Sequence, residues 1–251
     1  MNHSFKLLLA CVPVVWLSAC GGGDLQDRLD VADPAVRFVN ASATAPNLTL
    51  YRSAIAQSDA TNVTYKFASD YFDVDTSMAD WSVKAAASGS TIGTVSIDPT
   101  RGSKYTIVAL PLSATETGVY VIGDPYNKPL GSNSTRLRVM NASFNASNID
   151  LYMNAIGTDI AAAGVNPIIA ATAYRTSGPA SGSDSADIPA GTYQLTITSA
   201  TTKTVLFKGQ LGFGDNKDIL VVVVPDPAVP GASQALFKVE GTAGLIQVPA
   251  I

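Results

Sequence analysis

The chain has 251 residues, 47% of them hydrophobic and only 14% charged, with 16 Lys and Arg against 20 Asp and Glu. That is apolar material enough for one core or two, while a net charge of −4 offers no basic surface for a phosphate backbone, so nucleic acid is not an expected partner. The 20 Gly and 14 Pro are an ordinary share, which excludes collagen-like and low-complexity chains.

Residues 1–19 read as an export signal. Lys6 and the amino terminus supply positive charge, and Leu7 to Leu17 is an apolar run too short to cross a bilayer whose hydrocarbon core is about 30 Å thick. The run ends in Leu17-Ser18-Ala19-Cys20, which resembles the bacterial lipobox, where the cysteine sulfur takes a lipid and becomes the first mature residue. The resemblance implies acyl chains on Cys20 that hold the protein to a membrane, each buried CH₂ adding about 0.8 kcal/mol. Gly21, in place of the aspartate of inner-membrane lipoproteins, points to the outer membrane.

Cleavage changes the available chemistry. It removes His3, Cys11 and Lys6, leaving 15 basic against 20 acidic residues, a charge of −5, and no histidine. The remaining Cys20 is committed to lipid. Ser-His-Asp and Cys-His catalysis, His or Cys zinc sites and thiol redox chemistry each need an imidazole or a free sulfur, so none is expected, and neither is a cofactor. Residues 20–34, with Gly21 to Gly23 and Asp24, Asp27, Asp30 and Asp33, read as a solvated tether.

Beyond the tether the chain repeats. Arg37 to Ala54 aligns without a gap on Arg138 to Ala155 at an offset of 101, with nine of 18 positions identical, including Asn40-Ala41-Ser42 against Asn141-Ala142-Ser143. An offset near 100 is a domain length. The spacing predicts two tandem domains, 35–123 and 135–251, joined by a linker at 124–134 and carrying separate cores. The second copy is longer, through the Gly/Ser/Asp-rich segment Ser177 to Asp187, read as a surface loop.

Both copies read as strands. Trp81, Val83 and Ala85 alternate with Ser82 and Lys84, and Tyr193, Leu195 and Ile197 alternate with Gln194 and Thr196, which puts one set inward and the other outward. Ile219 to Val224 is apolar throughout, as in a central strand covered on both faces. One helix is expected, at Ile156 to Ala163. Short strands between turn signals such as Gly123-Asp124-Pro125 predict an all-β chain of two immunoglobulin-like antiparallel sandwiches.

Val36 to Tyr51, its counterpart Leu137 to Tyr152, and Ile188 to Tyr193 together resemble the bacterial domain of unknown function 4397, in both copies. Ala43 and Phe144 stand where that pattern has proline, and Thr49 replaces an acid that Asp150 keeps. The resemblance implies an exported cell-envelope sandwich and carries no catalytic residues.

Candidate sites are few. Asp70, Asp73, Asp75 and Asp80 cluster in sequence, but the calcium-loop pattern fails for want of Gly at its sixth place and Glu at its twelfth, so a solvated acidic loop is expected and no metal. Tyr71, Phe72, Asp73 and Tyr126 sit in loop-like contexts as possible ligand contacts, while Trp81 reads as core. Arg37 with Arg138, and Tyr51 with Tyr152, recur as packing residues of a duplicated fold. The expected function is a non-catalytic binding or structural module of the envelope, its partner a protein or a glycan. A polysaccharide-binding version needs exposed aromatics in one groove. A glycosidase needs two converging carboxylates, and Glu116 and Glu240 are the only glutamates.

Overall fold

The computed structural model describes residues 32–125 and 133–251; Cys20, residues 21–31 of the expected tether and Tyr126 lie outside them, while the tether's last residues are not free, Ala32 and Pro34 being buried and Asp33 paired with Arg101. The first half contains β1 (Ala35–Asn40), β2 (Leu48–Arg52), β3 (Ile55–Ala56), β4 (Phe72–Asp73), β5 (Ala79–Ala85), β6 (Thr91–Ile97), β7 (Ser103–Pro111) and β8 (Thr117–Pro125). In the second lie β9 (Ser134–Asn141), β10 (Asn148–Asn154), β11 (Ile169–Ala173), β12 (Thr176–Gly178), β13 (Ala186–Pro189), β14 (Gly191–Ser199), β15 (Val205–Phe213), β16 (Asp218–Pro225), β17 (Ser233–Val239) and β18 (Ile246–Gln247).

Each half is a sandwich of an inner and an outer sheet. The inner sheets run β4-β1-β7-β8 and β12-β9-β16-β17-β18, with β13 also on β9; the outer sheets run β3-β2-β5-β6 and β11-β10-β14-β15. Strands β1, β2, β5, β6, β7 and β8 thus hold the places that β9, β10, β14, β15, β16 and β17 hold in the second half. Pairing is antiparallel except at the centre of each inner sheet, where β1 lies parallel to β7 and β9 parallel to β16. The parallel pair arises because the chain leaves β1 for the outer sheet and returns to the inner one only at β7.

The repeated Asn-Ala-Ser makes that crossing. Asn40 Oδ1 accepts from the Ser42 amide at 3.2 Å and Asn141 Oδ1 from the Ser143 amide at 3.1 Å, a side-chain turn that carries the chain between sheets. Each serine hydroxyl then ties the turn to the start of the last inner strand, Ser42 to Thr117 at 2.7 Å and Ser143 to Ser233 at 2.8 Å.

Each half has a core cluster of its own, with Trp81 and Phe38 in the first and Leu151 and Ile197 in the second. A third core lies between the halves. It joins Val39, Val108, Leu110 and Ile122 of the first inner sheet to Met140, Leu220, Val222 and Leu236 of the second. The inner sheets are therefore covered on both faces, and the molecule is four layers of sheet. Ile219, Val221 and Val223 face their own sandwich while Leu220, Val222 and Val224 face the other, so the unbroken apolar run of β16 has two destinations.

Main-chain hydrogen bonds cross this seam at both edges. The Leu245 amide donates to Lys66 O at 2.8 Å, and the Gly182 amide donates to Gly123 O at 2.9 Å. Ser177 to Asp187 is thus no free surface loop. Its ends are β12 and β13, and its middle reaches over the edge of β8, where Ser181 Oγ accepts from the Gly123 amide and Ser185 Oγ donates to Asp124.

The expected helix at Ile156 to Ala163 is replaced by turns. Gly157 and Gly164 sit at φ of 86° and 84°, in the left-handed region that ends a helix, and Asp159 Oδ1 takes the Ala161 amide in a local turn that competes with helical bonding. These turns lie against the outer face of β14, where Gln194 bonds to Gly157 and Thr158.

Candidate functional site

Along the seam, side chains change character from one end of the strands to the other. On β1 the facing positions are Arg37 and Val39, followed by Ala41; on β9 they are Arg136, Arg138 and Met140, followed by Ala142. On β7 they are Lys104, Thr106, Val108 and Leu110, and on β16 Asp218, Leu220, Val222 and Val224. One end is charged, the middle is apolar, and the far end opens as a cleft.

The cleft has a volume of about 380 Å³ and is built by both halves. The two Asn-Ala-Ser turns supply Ala41, Ala43, Thr44, Phe144 and Asn145, and Pro111, Pro225, Pro227 and Pro230 line it with ring-fixed backbone. Tyr65 joins them, its hydroxyl accepting from Gln234 Nε2 across the seam at 2.9 Å. Burial, with the Asp226 charge nearby, pushes that hydroxyl up to about 12, so it stays protonated. Phe144, at 36% exposure, is the accessible aromatic surface. Asp226 is the single carboxylate of the lining, and its Oδ1 accepts from the Ala228 amide.

At the charged end, the repeated arginines meet across the seam. Arg37 donates from Nε to Thr106 Oγ1 at 2.8 Å and lies 4.6 Å over the Tyr71 ring. Arg138 holds the segment after β12 through Pro179 O, Ala180 O and Ser183 O, with Asp124 at 3.5 Å. Arg136 grips Asp218 with two bonds, of 2.6 and 2.9 Å, Lys104 reaches across to Glu240 at 2.8 Å, and Lys238 reaches back to Asp70 at 2.9 Å. All five cations are buried. Such pairs rarely add net stability against an apolar alternative, but they penalise any other seating of one half on the other.

Burial pushes Asp218 up to about 7 against the pull of Arg136, with Glu240 at its side. Glu240 is half-buried, and the Lys104 charge holds it below the usual carboxylate range. Because Asp218 binds its proton more tightly folded than unfolded, stability should rise as pH falls from about 8 to about 5 and turn down only below the Glu240 range. Thermal melts across that window should show the slope in the native chain and a flatter one in Asp218→Asn.

The residues expected to contact ligand are placed differently. Tyr71 is half-buried between Arg37 and Lys104, Phe72 packs on Trp81 with ring centroids 6.3 Å apart, and Phe72–Asp73 form β4, not a loop. Of the clustered aspartates, Asp70 pairs with Lys238, Asp75 receives a fork from Arg52 that holds its carboxyl well below the usual range, and Asp80 accepts from Ser96 Oγ. They do not converge, and among the described residues no group of acids is placed to hold a metal. Glu116, in the turn after β7, and Glu240, after β17, lie at opposite ends of the inner strands. The sequence did not point to Tyr65, Phe144 and Asp226; the signal available was that Phe144 and Ala43 occupy equivalent places after the repeated Asn-Ala-Ser.

Among solved structures, the chain is similar to a family 41 carbohydrate-binding module from streptococcal virulence factors that recognises alpha-glucan. The identity is 12% and the TM-score 0.26, over 76% of this chain and 93% of that one. It is also similar to the family 26 module of Amy13K from Eubacterium rectale, solved with maltoheptaose, at 9% identity and a TM-score of 0.24, over 86% and 97%. No curated protein matches it. Residues 34–152, from just before β1 into β10, match the family model described as a domain of unknown function, DUF4397.

Proposed function

We propose that the chain is an exported, lipid-anchored envelope protein that binds and does not catalyse, and that the cleft at the end of the seam is its binding site. The observation that carries the binding-site reading is the cleft's construction: proline-stiffened walls and two aromatic rings, contributed by both sandwiches. A pre-formed apolar pocket with a few polar groups binds at little ordering cost. A single carboxylate in the lining suits binding better than hydrolysis, which needs a pair.

A glycan is the ligand class this lining favours. The C–H faces of a sugar ring fit Tyr65 and Phe144, and its hydroxyls find Thr44, Asn145 and Asp226 at the rim. Phe144→Ala should weaken retention on immobilised envelope polysaccharide at least tenfold while leaving the melting temperature within a degree or two, since the ring is partly exposed. Retention unchanged by the substitution would refute the cleft as the site. For the anchor, Cys20→Ser should abolish fatty-acid labelling and release the protein from the membrane fraction; membrane retention without acylation would refute it.

A further inference from the structure

The charged end of the seam contains donors that the protein does not use. Arg37, 5% exposed, has no partner for Nη1, and Arg138, 3% exposed, has none for Nε. Both residues line a small, partly open pocket of about 20 Å³, shared by the two halves and bordered also by Tyr71, Thr106, Asp124 and Asp218. That volume admits one water-sized species. The lining includes three guanidinium groups, of Arg37, Arg136 and Arg138, against the two carboxylates of Asp124 and Asp218. The lining is therefore one positive charge in excess. A buried charge without compensation is costly, and the orphaned atoms are both donors, so the missing partner is one that accepts and carries negative charge.

We propose that this space is a binding site for one monatomic anion of the chloride class, held between Arg37 and Arg138 at the seam of the two sandwiches. Water satisfies the two donors less well, because it brings no negative charge to the excess of guanidinium groups. Phosphate and sulfate are too large for the volume. The high proton affinity of Asp218 adds to the positive balance near neutral pH. The ion ties an arginine of each half to one point, so its binding stabilises the seam by mass action.

Crystals of the full chain soaked in bromide should show one anomalous peak within contact of Arg37 Nη1 and Arg138 Nε. In solution, melting temperature should rise with chloride by several degrees and saturate, compared with gluconate at equal ionic strength, whose anion the cavity cannot admit. Arg37→Gln should abolish the difference. A cavity with no bromide peak would overturn the site whether or not the variant folds, as would a chloride effect that Arg37→Gln leaves intact. Neither result bears on the cleft, which lies at the other end of the strands.

Discussion

Expressed separately, residues 34–125 and 133–251 should fail as stable folded monomers and recover structure when mixed. Each half has a core of its own, yet separation exposes one whole face of its inner sheet. In the first half that face includes Val39, Val108, Leu110 and Ile122, and in the second Met140, Leu220, Val222 and Leu236, all fully or almost fully buried in the intact chain. It also removes Glu240 from Lys104 and Asp70 from Lys238. Contiguous apolar faces of this kind are not left in water by stable monomers. Circular dichroism and size-exclusion chromatography of the halves, alone and mixed, check the result. Two halves that each melt cooperatively and do not associate would restore the independent domains expected from the repeat spacing.

Val222→Asp should have the largest effect of any single substitution in the seam. Val222 lies opposite Met140 on one side and Leu236 on the other, with no exposed surface. A carboxylate there has no partner and must either take up a proton or part the sheets, at a cost of roughly 3–5 kcal/mol. That is a large part of the stability of an ordinary domain. Val205→Asp is the matching control, because Val205 is 50% exposed on β15, and its change should stay within about 0.5 kcal/mol. Urea unfolding of the three proteins decides it. Equal midpoints for Val222→Asp and Val205→Asp would mean that the seam contributes nothing.

The two-sandwich architecture was legible because local pattern governs it. Trp81 and Val83 point inward by strict alternation with Ser82 and Lys84, and the repeated Asn-Ala-Ser marks the same crossing between sheets in each half. The seam was half legible. Ile219 to Val224 announces cover on both faces, but a strand pattern does not say what the second cover is. Tyr71 shows the same limit from the other side: flanked by Asp70 and Phe72 it reads as a loop aromatic, and the packing of Arg37 and Lys104 against its ring half-buries it. The cleft was illegible for the same reason. Phe144 and Tyr65 are 79 positions apart, a separation that no window of local periodicity spans. The helix failed on glycine, since Gly157 adopts a backbone conformation that apolar spacing alone does not predict.

Equivalent tyrosines reach across the seam in both directions. Tyr65 of the first half meets Gln234 of the second, while Tyr174, in the equivalent place of the second half, donates to Pro111 O of the first at 2.7 Å. The residues that follow, Lys66 and Arg175, both have left-handed backbone, with φ of 67° and 63°. This is the arrangement of an isologous homodimer, in which each subunit presents the same patch, written into one polypeptide. Covalent connection converts a concentration-dependent encounter into an intramolecular one, with an effective concentration on the order of millimolar for a short linker. A cleft that needs both halves then survives any dilution. Each half is also free to acquire features that the other lacks, as the segment from Pro179 to Ser185 already has.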